Sequence, residues 1–249
     1  MALAAKYGII SDVHANYTAM KMALDHLDAA GCDHIINLGD LVGYGAEPAK
    51  CVEAMRTRKN VTSIIGNHDR QAIGDKDDRM RKTAAKVLEW TAQHLTPEDV
   101  AYLKKIPQGL VLEEQFILVH GSLVERDAYL LSAPEIEKNL QAMIKDFPAA
   151  KVCFFGHTHV PMLIGTKRTM LELQETKMFK LDPNEKYMIN PGSVGQPRDK
   201  CPLSSFGIFD TQNWTMTFIR KPYDYKQAQQ LIIDNGLPEK FARRLALGI

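Results

Sequence analysis

Three short apolar runs near the N-terminus, Lys6–Ile10, His34–Leu38 and Val61–Ile65, alternate with segments of helical period. That alternation limits the folds open to the chain more than any other feature. Between the first two runs, Tyr17, Met20, Leu24 and Leu27 recur at spacings of three and four, which is one face of a helix. Asn16 stands where an N-cap belongs and Gly31 where such a helix ends. Glu47–Arg58 reads as a second helix. Strands alternating with helices of this length predict βαβ units and a parallel sheet. Sheets of that kind bind ligands beyond the carboxyl ends of their strands.

The same grammar continues. Lys76–His94 reads as helical, and Thr96-Pro97 as a helix start. Strands are predicted at Gly109–Leu112 and Phe116–Val119, a helix at Pro134–Lys145, and a strand at Val152–Phe155. After Pro161, short strands separated by turns fill residues 162–221 and predict an antiparallel layer. Tyr225–Asn235 and Pro238–Leu247 close the chain as helices. With no linker and no repeat, residues 1–249 read as a single domain.

Each apolar strand ends in a polar cluster: "SDVH" at 11–14, "GD" at 39–40, "GNHD" at 66–69, "HG" at 120–121 and "GHTH" at 156–159. Five of the eight histidines, His14, His68, His120, His157 and His159, fall in these clusters. A single such residue would be an ordinary buried polar group. Together with Asp12, Asp40, Asn67 and Asp69 they form a constellation. Imidazole, carboxylate and amide oxygen without thiolate suit metals of intermediate hardness. The set exceeds the three or four protein ligands of one catalytic ion. It suits two divalent ions about 3.5–4 Å apart sharing a carboxylate. Manganese leads the candidates, with Fe, Ni, Zn or Mg as the others. Two ligand carboxylates offset about half the charge of two such ions, so the site should attract phosphate. "GDLVGYG" at 39–45 is glycine-rich but lacks the ending of a nucleotide-binding P-loop.

These blocks, in this order, resemble those of the calcineurin-like metallophosphoesterases. "NPGSVGQPRD" at 190–199 and "GLPEKFARRL" at 236–245 are similar to the compact bacterial and archaeal phosphodiesterase branch. The resemblance implies an α/β fold, a four-layer α-β-β-α sandwich with two mixed β-sheets packed face to face and helices outside. It implies that Asp12, His14 and His159 bind one metal, that Asn67, His120 and His157 bind the second, and that Asp40 bridges them. His68 would serve the leaving group, with Asp69 holding its ring. A water bridging the two metals would attack phosphorus in line. In the protein serine/threonine phosphatases a phosphate-binding arginine stands where this chain has Tyr44, which argues against that activity. Arg198 is a candidate substrate contact, or a turn residue.

The leading expectation is a phosphodiesterase acting on a small phosphoester, nucleotide-derived among the options. A phosphomonoesterase or dinucleoside polyphosphate hydrolase on the same core is the alternative, and a non-catalytic metal-binding scaffold a third. Net charge is +1, so no global field favours nucleic acid. Two basic clusters, 56–59 and 79–82, read as solvated helix faces, with a phosphate contact by Arg79 or Arg81 as the other reading. Four cysteines without CxxC spacing read as reduced thiols. With no signal peptide and no apolar run of membrane length, the expected location is the cytoplasm. Residues 70–115 are expected to cap the site in part. The sequence carries no indication of oligomeric state.

Overall fold

Ile9 and Ile10 are neighbours that serve different layers. Ile9 joins a buried cluster with Phe116, Phe154 and Phe209, whereas Ile10 joins one with Met20, Leu24 and Leu27. A strand's period of two sends adjacent side chains to opposite faces, and here both faces are covered. The computed structural model describes residues 6–75, 81–112, 115–167, 169–171 and 173–249.

The chain opens with β1 (Lys6–Ile10), α1 (Tyr17–Ala29), β2 (His34–Asn37), α2 (Pro48–Thr57) and β3 (Val61–Ser63). It continues with α3 (Asn67–Ala72), α4 (Lys82–Gln93), α5 (Pro97–Leu103), β4 (Gly109–Leu112), β5 (Phe116–Val119), α6 (Ala133–Asp146) and β6 (Val152–Phe154). Then come β7 (Met162–Gly165), β8 (Thr169–Leu171), β9 (Lys177–Lys180), β10 (Tyr187–Asn190), β11 (Ser204–Asp210) and β12 (Thr215–Lys221). Two helices, α7 (Tyr225–Asp234) and α8 (Glu239–Leu247), end it.

The strands form two six-stranded sheets, ordered β3-β2-β1-β11-β12-β9 and β4-β5-β6-β10-β7-β8. Both are mixed. β1, β2 and β3 run parallel, as the alternation predicts, while β11 lies antiparallel to β1. In the second sheet β5, β6 and β10 are parallel, and β7 is antiparallel to β10. The expected antiparallel layer over 162–221 is therefore corrected. Its strands are shared between the two sheets, and β10 pairs parallel with β6. All these segments carry similar apolar patterns, so only long-range packing assigns each to a sheet.

The sheets meet face to face through Tyr7, Ile36, Leu118, Phe154, Phe209 and Phe218. Helices α1 and α2 cover the far side of the first sheet through Met20, Leu27, Val52 and Met55. Helix α6 covers the far side of the second through Leu140 and Met143. The architecture is the four-layer sandwich expected. A smaller cluster joins Val87 of α4, Ile232 of α7 and Phe241 of α8.

Helix boundaries follow their caps. The Asn16 carboxamide oxygen accepts from the Ala19 N–H (3.1 Å), as its position predicts. Thr96 and Ser132 open α5 and α6 with reciprocal capping boxes. The helix expected over 76–94 is described from Lys82 onward, residues 76–80 lying outside the described set. One helix was not expected at all. The "GNHD" stretch is the start of α3, so Asn67, His68 and Asp69 occupy a helical first turn.

Candidate metal centre

Every polar cluster named from the sequence lies at or just beyond a strand end, and the two sheets bring them to one place. Asp12 and His14 follow β1, Asp40 follows β2, Asn67 and His68 open α3 after β3, His120 follows β5, and His157 and His159 follow β6. Asp12, His14, Asp40, His68, His120, His157 and His159 are all at most 6% exposed.

The backbone is bent hard to aim them. Asp12, His14, Asp40, His157 and His159 all have positive φ, between 51° and 67°. Non-glycine residues enter this region at a cost and gather there at functional sites. The turn after β2 is tight as well. A Cβ on Gly66 would lie 2.0 Å from the Asp40 Oδ1 and 2.3 Å from its backbone nitrogen.

Three overlapping groups have ligand atoms within 4.8 Å of one another: Asp12, His14 and His159; His14, Asp40 and His68; and Asp40, His120 and His157. The Nε2 atoms of His14 and His159 lie 3.1 Å apart. Asp12 Oδ1 is 3.4 Å from His159 Nε2, and Asp40 Oδ2 is 3.7 Å from His14 Nε2 and 3.3 Å from His120 Nε2. The Asn67 Oδ1 is 3.2 Å from His120 Nε2. Asp40 thus stands between two groups.

Remote ring nitrogens are tied to backbone carbonyls: His14 Nδ1 to Val42, His120 Nδ1 to Leu38 and His159 Nδ1 to Gln196. In the neutral tautomer that donates through Nδ1, each Nε2 lone pair faces the cluster, the form a metal needs. The His157 Nε2 is buried without a hydrogen-bond partner. An orphaned buried acceptor is costly, and a cation there would satisfy it.

Electrostatics agree with that fit. Burial pushes the His68 imidazole down to about 4 and that of His157 down to about 3, and drives His14 and His159 well below the usual range. Neutral imidazoles are the metal-binding form. Burial pushes the Asp40 carboxyl up, but His120, His68 and His14 outweigh it and hold it well below the ordinary range. Burial is the largest influence on His120 and works against its imidazolium, yet Asp40, Asp12 and the Leu38 carbonyl together outweigh it and raise it to about 10. Asp12 is raised to about 6, mainly by burial. A buried carboxylate that recruits a proton on a neighbouring histidine is one that calls for a cation. The donor set fits divalent ions of intermediate hardness.

The expected role of Asp69 is corrected. Its Oδ1 accepts from the Val42 N–H (3.0 Å) and its Oδ2 from the Gly66 N–H (3.1 Å). At the third position of α3 the carboxylate reaches back over the helix start, so it braces two backbone turns. The His68 Nδ1 has no hydrogen-bond partner. The His68 ring is held instead by packing against Tyr44 (4.4 Å between centroids) and His14 (4.8 Å).

The "NPGSVGQPRD" stretch, of which only Arg198 was singled out from the sequence, clamps the centre from behind. Asn190 Nδ2 donates to the Gly156 carbonyl (2.8 Å) and the Thr158 Oγ1 (2.9 Å). The Ser193 hydroxyl and the Gly195 N–H both donate to the Asp12 carbonyl, at 2.7 and 3.1 Å. Asn16, beyond its cap, donates to the Gly195 carbonyl (2.9 Å). The buried asparagine at the end of β10 was the signal available for this clamp.

A cleft of about 490 Å³ is lined in part by Asn67, His68, His157 and Arg198. Arg198 is half-buried there, its guanidinium over the Tyr44 ring (5.7 Å). Of the 70–115 region, Gln71, Arg81 and Ala84 line the cleft, while much of the remaining wall comes from Tyr129 and α8. Arg79 lies outside the described residues.

Residues 6–214 match the calcineurin-like phosphoesterase superfamily domain. The chain belongs to that superfamily and is a metal-dependent phosphoester hydrolase. It is similar to an uncharacterized protein of Methanocaldococcus jannaschii, 37% identical over 243 residues, covering 96% of this chain and 97% of the relative. A crystal structure of a metallophosphoesterase from Sphaerobacter thermophilus is 35% identical, with a TM-score of 0.83 over 99% of this chain and 100% of that one. A hypothetical protein from Pyrococcus horikoshii shares the fold at 20% identity, with a TM-score of 0.77 over 98% of each chain. Among the described residues no helix is long and apolar enough to cross a membrane.

Proposed function

We propose that the chain is a dinuclear metal-dependent phosphodiesterase. The observation that carries this reading is the convergence of Asp12, His14, His159, Asn67, His120 and His157 around Asp40, with His68 beside them on the same cleft. Asp12, His14 and His159 would hold one ion, Asn67, His120 and His157 the other, and Asp40 both. Manganese suits the mixed imidazole, carboxylate and amide set. Two such ions supply, when bound, Lewis-acid charge and activation of the attacking water.

The chain's own residues supply the rest. His68 lines the cleft, its Nδ1 buried beside Gly43, and we assign its imidazole the leaving-group oxygen, which it would stabilise as acid or dipole. Its backbone N–H donates to the Asp40 Oδ1 (2.9 Å), which fixes it relative to the proposed bridging carboxylate. Asp69 keeps that turn in place as a positioning residue. Arg198 would contact the substrate from the cleft wall. The cleft volume lies in the range of pockets for organic ligands rather than a bare ion. It is lined from Tyr129, stacked on His157 (4.0 Å), to Phe241, reached from His68 through Tyr44. Walls on both flanks of the centre favour phosphorus with two substituents. Residues 1–249 act as one domain in this reading, since α7 and α8 pack on Val87 and Tyr44.

The test is to strip the protein with chelator, restore Mn²⁺, and assay a generic diester beside the matching monoester. Diester turnover should require metal and fall about 10²–10⁴-fold in His68→Ala, with metal content retained. Turnover of the monoester alone, or undiminished turnover in the variant, would refute the assignment.

A further inference from the structure

We propose that the cleft holds a second anion subsite, built from Arg81, Arg198, Lys240 and Arg244, which takes a further phosphate group of the substrate beyond the one hydrolysed. The inference rests on the phosphodiesterase reading and names its substrate class, a phosphoester with at least one additional phosphate. All four cations line the same cleft as His68 and His157. None belongs to the candidate ligand groups.

Helix α8 is the element that makes the subsite. Lys240, Phe241 and Arg244 stand at spacings that share one helix face. Phe241 is buried and packs on Tyr44 at 4.9 Å between centroids, and Tyr44 packs on His68 at 4.4 Å. The Lys240 Nζ and Arg244 Cζ lie 5.0 and 5.8 Å from the Phe241 ring centroid. Two ring contacts therefore separate the cations of α8 from the reacting side of the cleft. The helix is also anchored to the loop that carries Arg198. Gly248 ends α8 in the left-handed region, φ 64°, and its carbonyl accepts from the Lys200 N–H (2.7 Å).

One carboxylate, Asp127, lines the same cleft, with its Oδ1 buried and unpartnered, and each nearby carboxylate pairs with a cation outside the four. Asp127 pairs with Arg70, Asp199 with Arg220, and Glu239 with Arg243. Among the described residues none of the four cleft cations makes an ion pair. The Arg198 Nε is buried without a partner. Burial and the charges of Arg198 and Arg81 pull Arg244 below the ordinary arginine range, so the cations repel one another. Four cations beside one carboxylate that is already paired with Arg70 leave an excess of positive charge, which suits an anion. A bare scissile phosphate would already be occupied by the metal centre and His68, which leaves α8 for a second group.

The test uses the full-length, Mn²⁺-loaded protein and calorimetric titration with AMP and with its non-hydrolysable α,β-methylene diphosphate analogue. The second phosphate should tighten binding at least about tenfold in the wild type, as charge-assisted contacts do. In Lys240→Gln/Arg244→Gln the gain should fall below about threefold. Arg243→Gln removes one positive charge from the same helix, at a side chain outside the cleft lining, and should keep the gain. Thermal melts establish that all variants are folded. No gain in the wild type, a gain that survives in the double variant, or an equal loss in Arg243→Gln would each overturn the subsite. Diester turnover in the same preparation separates the two readings. Turnover without the gain removes the subsite alone, and the gain without any phosphoester turnover removes the hydrolase assignment.

Discussion

Gly43 offers a way to move His68 without substituting any of the side chains assigned to the two ions. It sits at φ 92°, and a Cβ there would lie 2.4 Å from the His68 Nδ1 and 3.1 Å from Cγ. Ordinary contact begins near 3.4 Å, so in Gly43→Ala the imidazole must give way by about 1 Å. A misplacement of that size costs about 10²-fold in rate, equivalent to about 2.7 kcal/mol of barrier. Backbone strain adds about 1–2 kcal/mol of lost stability, because alanine avoids positive φ. Gly31→Ala separates the two effects. That glycine also has positive φ, 70°, but open space where its Cβ would point. It should lose stability only. The assay is kcat on a generic diester with Mn²⁺-loaded protein, alongside urea denaturation and metal content. The reasoning fails if Gly43→Ala keeps kcat within about threefold of wild type, or if Gly31→Ala loses kcat to the same extent.

Asn190→Ala removes the side chain that ties Gly156 and Thr158 together and also accepts from the Gly192 N–H (2.8 Å). Metal affinity should fall about 10–100-fold as the His157–His159 turn loosens, and an unchanged affinity in metal titration would contradict that. For metal-free protein, burial lowers His68 to about 4 from an ordinary 6.5. A depressed folded value gives stability that is full above 6.5 and lost as pH falls toward 4. His68→Gln escapes that loss, so its unfolding free energy should gain on wild type by about 1–3 kcal/mol between about pH 7 and pH 4. Urea melts of chelated protein at the two pH values check this, and a gap independent of pH would refute it.

Much of the centre was legible because its donors sit next to strand ends in sequence. Apolar runs ending in Asp12, Asp40, His120 and His157 announce both a sheet and a polar edge. The local reading failed where neighbours in space are distant in sequence. Asp69 beside His68 suggested a bond to its ring, yet a helix start in α3 turns the carboxylate toward Gly66 and Val42. Ser193 and Asn190 carried no assigned role, and the pairing of β10 with β6 places them behind Asp12 and Gly156.

The sequence by itself determined that alternating strands and helices would build layers, that a metal-ready set of His, Asp and Asn would gather at one edge, and which family the chain resembles. These follow from period, residue chemistry and local spacing. Only the tertiary structure decided how strands 162–221 divide between two sheets, and that α8, near the end of the chain, would line the cleft with Lys240 and Arg244. Sheet partition depends on which apolar faces meet, and many strands present nearly the same face. The wall of the cleft depends on Phe241 finding Tyr44 across the chain, a contact that no local pattern encodes.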